Sequence, residues 1–308
     1  MKASLLFALI LGAAAPALAQ QALEPPNRFA ATIAPAERFE VQGMLVERHG
    51  QGGRPLILIP GLGGGSWVWQ ETVRDFAGGQ AVYVVTLPGF DGRPAPGGHP
   101  IEGARRALLE LIATRKLDKP VLVGHSLGGT LALALAEMQP ARIGGVVSID
   151  GLPVFPGTED VPPEQRPQVA EGMRARMAAV TGPAFAAQQK QYMRSVGVVD
   201  MNKGDELAKL SARSDPAAMA AYAAGIVALD LRPQLSAIAA PVLVMAPYFA
   251  LDSAQAGVTA PQKVAYYREL MQGTPRLDVI AIDNARHFAM FDQPRAVSDA
   301  LRAFLKNL

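Results

Sequence analysis

The chain contains no cysteine. Disulfides, thiolate nucleophiles and cysteine-ligated metals are therefore excluded. Histidine is scarce as well, with four in 308 residues. An excess of charge of one sign is also missing: 29 basic residues against 27 acidic ones leave a formal +2. No concentrated Lys/Arg run offers the electrostatic footprint of a nucleic-acid partner. After the first twenty residues no long apolar run escapes interruption by Gly, Pro or charge, so no stable membrane insertion is expected of the mature chain. Internal repeats, G-x-G-x-x-G, G-x-x-x-x-G-K-[ST] and any spaced set of metal ligands are lacking, which argues against nucleotide, cofactor or metal chemistry. Nothing in the sequence specifies an oligomeric state.

What is there is half hydrophobic, enough for one large globular domain or a core with an insertion. The chain opens MKASLLFALILGAAAPALAQ. Lys2 gives a short positive region, Leu5 to Ala15 an apolar one, and Ala17-Leu18-Ala19 a small-x-small cleavage site. This pattern predicts a signal peptide over 1–19 and a mature protein exported to the periplasm or secreted. Residues 20–38 read as a Pro- and Ala-rich leader.

From Phe39 the pattern changes. "RFEVQGMLVERHG" alternates as a strand or hairpin does, and "PLILIP", "AVYVVTLPGF", "KPVLVGHS", "IGGVVSIDG", "APVLVMAP" and "RLDVIAID" are short apolar runs suited to buried strands. Helical patterns lie between them, as in 100–117, where Ile101, Ala104, Leu108, Leu111 and Ile112 recur at helical spacing. Such alternation predicts an α/β protein with a mostly parallel twisted sheet flanked by helices, its core formed by 39–151 and 233–308. Residues 152–232 break the rhythm with a Pro-, Met- and Ala-rich helical insertion. Val169, Met173, Met177 and Val180 share one helix face there, and Asp215-Pro216 marks the start of another helix carrying Met219, Tyr222, Ile226 and Leu229.

The most demanding stretch is "VLVGHSLGGTLALALA", 121–136. A buried strand runs into Gly124-His125-Ser126-Leu127-Gly128-Gly129 and then directly into a helix. A serine at the apex of so sharp a turn has a strained backbone, and residues two away on either side pass too close to other elements to carry a Cβ. The hydroxyl is thereby lifted clear of the sheet, and the Leu127 N–H at the helix start is aimed where negative charge develops on a reacting carbonyl.

With this G-x-S-x-G turn in its strand–turn–helix context, the chain resembles the α/β-hydrolase superfamily over nearly all of 39–308. The resemblance implies the α/β-hydrolase fold with a helical cap over 152–232, and Ser126 as nucleophile. It implies backbone N–H groups of Leu127 and Leu62 as the oxyanion hole, Leu62 following Pro60-Gly61 where the family often has His-Gly. "LPGFDGRP" resembles the family's next loop and reads as structural, as do Trp67 and Trp69. The base implied is His287, in "NARHFAMFDQP" after the last strand, while His125 reads as a supporting residue and His49 and His99 lie in other loops. The acid is expected at Asp252, in "PYFALDSAQ" after the strand 241–246, although the usual Gly-x-x-Asp is replaced there. Asp150, ending the strand after the elbow, is the alternative acid; Asp230 reads as a loop residue.

The function expected is hydrolysis of a small or medium apolar ester, thioester, lactone or amide through an acyl-enzyme on Ser126. An apolar small-molecule acyl substrate suits the insertion, which holds Met173, Met177, Met193, Met201 and Met219 of the chain's 11 methionines. Tyr192 and Tyr222 are candidate pocket residues. A catalytically silent binding protein of this fold, or a cofactor-free C–C hydrolase or perhydrolase, is the alternative.

Overall fold

The structure is a computed structural model that describes residues 26–254 and 257–308. The expected signal segment 1–19 lies outside the described residues.

One eight-stranded sheet organises the chain, with strand order β1-β2-β4-β3-β5-β6-β7-β8. The alternating stretch after Glu37 forms a hairpin of β1 (Glu37–Val41) and β2 (Met44–His49). It closes at Gln42 and Gly43, both at positive φ, as a tight hairpin turn requires. β2 pairs antiparallel with β4 (Val82–Thr86). The remaining strands, β3 (Leu56–Ile59), β5 (Val121–His125), β6 (Gly145–Ile149), β7 (Val242–Tyr248) and β8 (Leu277–Asp283), pair in parallel.

The central strands are apolar throughout because both faces are covered. Ile57, Ile59 and Leu122 turn to one side, and Leu56, Leu58, Val121 and Val123 to the other. The first side packs under α2 (Pro100–Thr114), α3 (Leu127–Met138), α7 (Pro216–Ala228) and α9 (Ala260–Leu270). The second packs under α1 (Gln70–Phe76) and α11 (Pro294–Lys306), with Trp67 and Trp69 buried among them.

Between β6 and β7 the chain leaves the sheet for α4 (Arg166–Ala178), α5 (Gly182–Tyr192), a π-helical turn Met193–Gly197, α6 (Met201–Ser211) and α7. α6 and α7 begin where Asp200 and Asp215 accept hydrogen bonds from the first free backbone N–H groups. An isolated antiparallel bridge, Val154 with Asp230, closes the base of this insertion. Short helices α8 (Ala250–Ala254) and α10 (Ala289–Asp292) follow β7 and β8.

Candidate active site

Ser126 stands between β5 and α3 with φ 53°, in the left-handed region that costs a non-glycine residue energy. The turn is held on both sides. The Ser126 N–H donates to the Ile149 carbonyl at 2.9 Å, and the Ser126 carbonyl accepts from Gly129 and Thr130 N–H at 2.8 and 3.1 Å. A Cβ on Gly124 would overlap the Gly128 carbonyl, and one on Gly128 would overlap the Ile59 carbonyl. The glycine spacing is thus a packing requirement of the turn. The loop after β3 lies alongside, since a Cβ on Gly61 would sit 3.1 Å from Ser126 Cβ. The expected backbone donors, Leu62 after Gly61 and Leu127 after Ser126, thus belong to the two segments that meet here. Leu127 opens α3, where helix N–H groups have no intrahelical partner.

His125 is fully buried, and its Nε2 lies 3.0 Å from the His287 carbonyl oxygen. A carbonyl only accepts, so Nε2 carries the proton and donates. Burial, with the neighbouring His287 adding to it, depresses the His125 imidazole to about 3. His125 stays neutral and anchors the backbone of the other histidine.

His287 follows β8. Its N–H donates to the Val196 carbonyl at 3.1 Å, and the next N–H, of Phe288, donates to Gly197 at 2.9 Å. Both acceptors lie at the end of the insertion's π-helical turn, a feature frequent at functional sites. The ring packs against His125 at 4.6 Å between centroids and meets Tyr192 edge-on at 6.2 Å. Its Nδ1 lies 2.6 Å from Asp150 Oδ2. Nδ1–H donates to that carboxylate, which leaves Nε2 as the basic nitrogen.

The expected acid is corrected here. Asp252 does not reach His287; both its oxygens are taken by Arg286, Nε and Nη2 each at 2.7 Å. The same guanidinium donates through Nη1 to the Arg194 and Val198 carbonyls at 2.8 and 3.1 Å. Asp150, the alternative, holds the imidazole. The reason lies in the sheet register. His125 pairs with Ile149 across β5 and β6, so the next residues, Ser126 and Asp150, leave adjacent strand ends together. α8 instead carries Asp252 to the outer side of the histidine loop, where a permanent cation is the nearer partner.

Burial works against the Asp150 charge, but the His287 hydrogen bond and charge, Lys263 and the Tyr267 hydroxyl outweigh it and hold the carboxyl well below its usual range. Tyr267 donates its phenolic proton to Asp150 Oδ1. Neither Tyr267 nor Arg286 was legible as a site residue: both contacts cross long sequence separations, and nothing in "AYYREL" separates Tyr267 from Tyr266. Among the insertion's candidates, Tyr192 stands beside His287, whereas Tyr222 is buried against Phe90 at 4.8 Å. Met219 and Ser211 press on the loop after β3, each 3.0 Å or less from the place of a Gly63 Cβ. Asp230 pairs with Arg166 and Arg232. Among the described residues no group of three or more His, Asp or Glu converges as metal ligands would.

Comparison with known proteins agrees with this architecture. The model of the alpha/beta hydrolase family matches residues 56–300. The pimeloyl-[acyl-carrier protein] methyl ester esterase of Aeromonas hydrophila is 26% identical over 266 residues, covering 84% of this chain and 98% of that protein. A thermophilic esterase from Thermogutta terrifontis superposes with a TM-score of 0.67 at 24% identity, over 88% of this chain and 99% of its own. The enol-lactonase from Burkholderia xenovorans LB400 gives 0.62 at 23%, over 88% and 100%.

Proposed function

The chain belongs to the alpha/beta hydrolase family, and from that premise we propose that it is an exported serine hydrolase cleaving a small or medium apolar carboxylic ester. The observation that carries this reading is His287: its Nδ1 is held 2.6 Å from Asp150, and its ring packs 4.6 Å from that of His125, the residue before Ser126 on its strained turn. The curated relative from Aeromonas, a methyl ester esterase matched over nearly its whole length, supports an ester as the bond cleaved.

In this reading His287 Nε2 takes the proton from Ser126 Oγ as the oxygen attacks the ester carbonyl. The carbonyl oxygen becomes an oxyanion that the Leu62 and Leu127 N–H groups stabilise. Asp150 fixes the imidazole's tautomer and offsets the positive charge it acquires. Collapse of the tetrahedral species expels the alcohol, which leaves with the proton from His287. Water then attacks the acyl-serine with His287 again as base, and the acid is released. The Ser126 hydroxyl is not among the hydrogen-bond partners of His287 in the described residues; such contacts often tighten only around substrate. The insertion sets Tyr192 beside His287 and Met219 against the loop after β3, apolar groups that favour an acyl or alkyl group over a sugar or phosphate.

A fluorophosphonate probe tests the mechanism: one adduct is expected, on Ser126, and none in Ser126→Ala. A panel of p-nitrophenyl esters and anilides of varied acyl length reports the leaving group and chain length preferred. Adduct formation elsewhere, or none, would point to a silent binding protein of the same fold. Export is tested on protein recovered from its native host, which should start near Gln20 and fractionate outside the cytoplasm; an intact Met1 on membrane-bound protein would contradict it.

A further inference from the structure

Asp150 presents two carboxylate oxygens, and only Oδ2 is used by His287. Oδ1 accepts the phenolic proton of Tyr267. The residue is otherwise poorly constrained for so exact a task. It has φ 53° at the very end of a strand, and one N–H bond to Met245 at 3.0 Å pins its backbone. A carboxylate tied through a single oxygen is free to turn about its Cβ–Cγ bond. Tied through both, it is fixed in the plane that the imidazole requires.

Tyr267 is built for that task. It lies on α9, which is locked at its start by the Thr259–Gln262 capping box, and it is 5% exposed. Lys263, one turn earlier on the same helix, stands 5.8 Å from its ring centroid. The adjacent Tyr266 meets its ring edge-on at 6.0 Å but donates its own hydroxyl proton to Glu159 in an exposed pair. Resting on the serine-hydrolase reading above, we propose that Tyr267 is a positioning residue for the reaction: it holds Asp150 Oδ1 so that Oδ2 meets His287 Nδ1. Burial and then the Asp150 charge push its phenol well above the ordinary value, so it remains a proton donor at any working pH. No bond is made or broken at Tyr267 during turnover.

The groups facing Asp150 are His287 after β8, Tyr267 and Lys263 on α9, Tyr192 on the insertion and His125 at the elbow; those facing His287 are Asp150, His125 and Tyr192. Removing the Tyr267 hydroxyl leaves more negative charge on the carboxylate opposite His287. That favours the imidazolium, the form unable to act as base.

The test is the rate of fluorophosphonate labelling of Ser126 against pH in the full protein, Tyr267→Phe and Tyr266→Phe. Phenylalanine keeps the ring packing in both variants. Tyr267→Phe is expected to label about tenfold more slowly near neutrality, the effect of one charge-assisted hydrogen bond, with its acid limb moved to higher pH. Tyr266→Phe is expected to superimpose on the unaltered protein. A Tyr267→Phe profile identical to that of the parent, or an equal loss in Tyr266→Phe, would overturn the proposal. Failure of the parent protein to label would count against the serine-hydrolase reading itself. The downfield proton resonance of His287 Nδ1–H then decides on Tyr267: a shift in Tyr267→Phe alone supports the positioning role, and an unmoved signal refutes it.

Discussion

The turn around Ser126 and the loop around His287 both lift one side chain off the carboxyl end of the sheet, yet they are held by opposite means. The serine turn is locally determined: a buried strand, two glycines where a Cβ would overlap backbone, and a helix that begins at the next residue. The histidine loop contains no glycine between Asp283 and Pro294. Distant partners hold it instead. Its backbone is tied to Val196, Gly197 and Tyr248, and its Arg286 side chain to Asp252. One half of the proposed chemistry is written into six consecutive residues, and the other is assembled from four separate segments. Damage to the first should therefore be steric and local, and damage to the second transmissible from the insertion.

The sharpest break in that comparison is chemical. Ser126→Ala is expected to lower ester turnover by roughly 10⁶-fold, the scale seen when a triad nucleophile is removed, with thermal stability unchanged or raised as the strained serine loses its polar load. Asp150→Asn should cost ~10⁴-fold in kcat by presenting the wrong partner to the imidazole. Asp252→Asn, assayed in parallel on the same ester, should keep turnover within about tenfold because it weakens a single charge-assisted pair outside the imidazole. An inversion of these two losses would return the acid to Asp252.

Stability distinguishes the two regions next. Gly124→Ala forces a methyl into the Gly128 carbonyl and should destabilise by about 1–3 kcal/mol, read by denaturant unfolding. Arg286→Ala removes the clamp between α8, the π-helical turn and the histidine loop. It should lower stability by about 1.5–3 kcal/mol and slow labelling of Ser126 as well, even though Arg286 touches no reacting atom. Loss of stability without slower labelling would show that the insertion does not govern the histidine.

The mildest test is acidification. His125 is neutral in the folded protein and depressed from 6.5 to about 3 by burial. A depressed folded value gives stability that is complete above the unfolded pKa and lost as pH falls toward the folded one. Asp150, also held low, acts in the same direction below its ordinary 3.8. Glu137, raised by burial to about 7, opposes them, since its contribution fades as pH rises from 4.5. Because these contributions oppose each other between pH 7 and 4, the test is the difference between two proteins: His125→Gln, with a lower melting midpoint than the parent at pH 7, should lose less of it, or gain more, on acidification to pH 4.

Local sequence is enough to specify the alternation of strands and helices, the hairpin before β3 and the glycine-bounded turn at Ser126. Each depends on periodicity or turn chemistry among residues a few positions apart. It also narrowed the imidazole after the last strand to one residue, because the chain has so few histidines. Which carboxylate meets that imidazole is set by packing in three dimensions. Asp150 ends one apolar strand and Asp252 follows another on α8, and no local pattern chooses between them; the choice follows from β5 and β6 being neighbours in register and from Arg286 claiming Asp252. Tyr267 and the π-helical turn were beyond the sequence for the same reason. Hydrogen bonds between such distant parts of the chain depend on where the sheet and the insertion place their ends, which no spacing along the chain encodes.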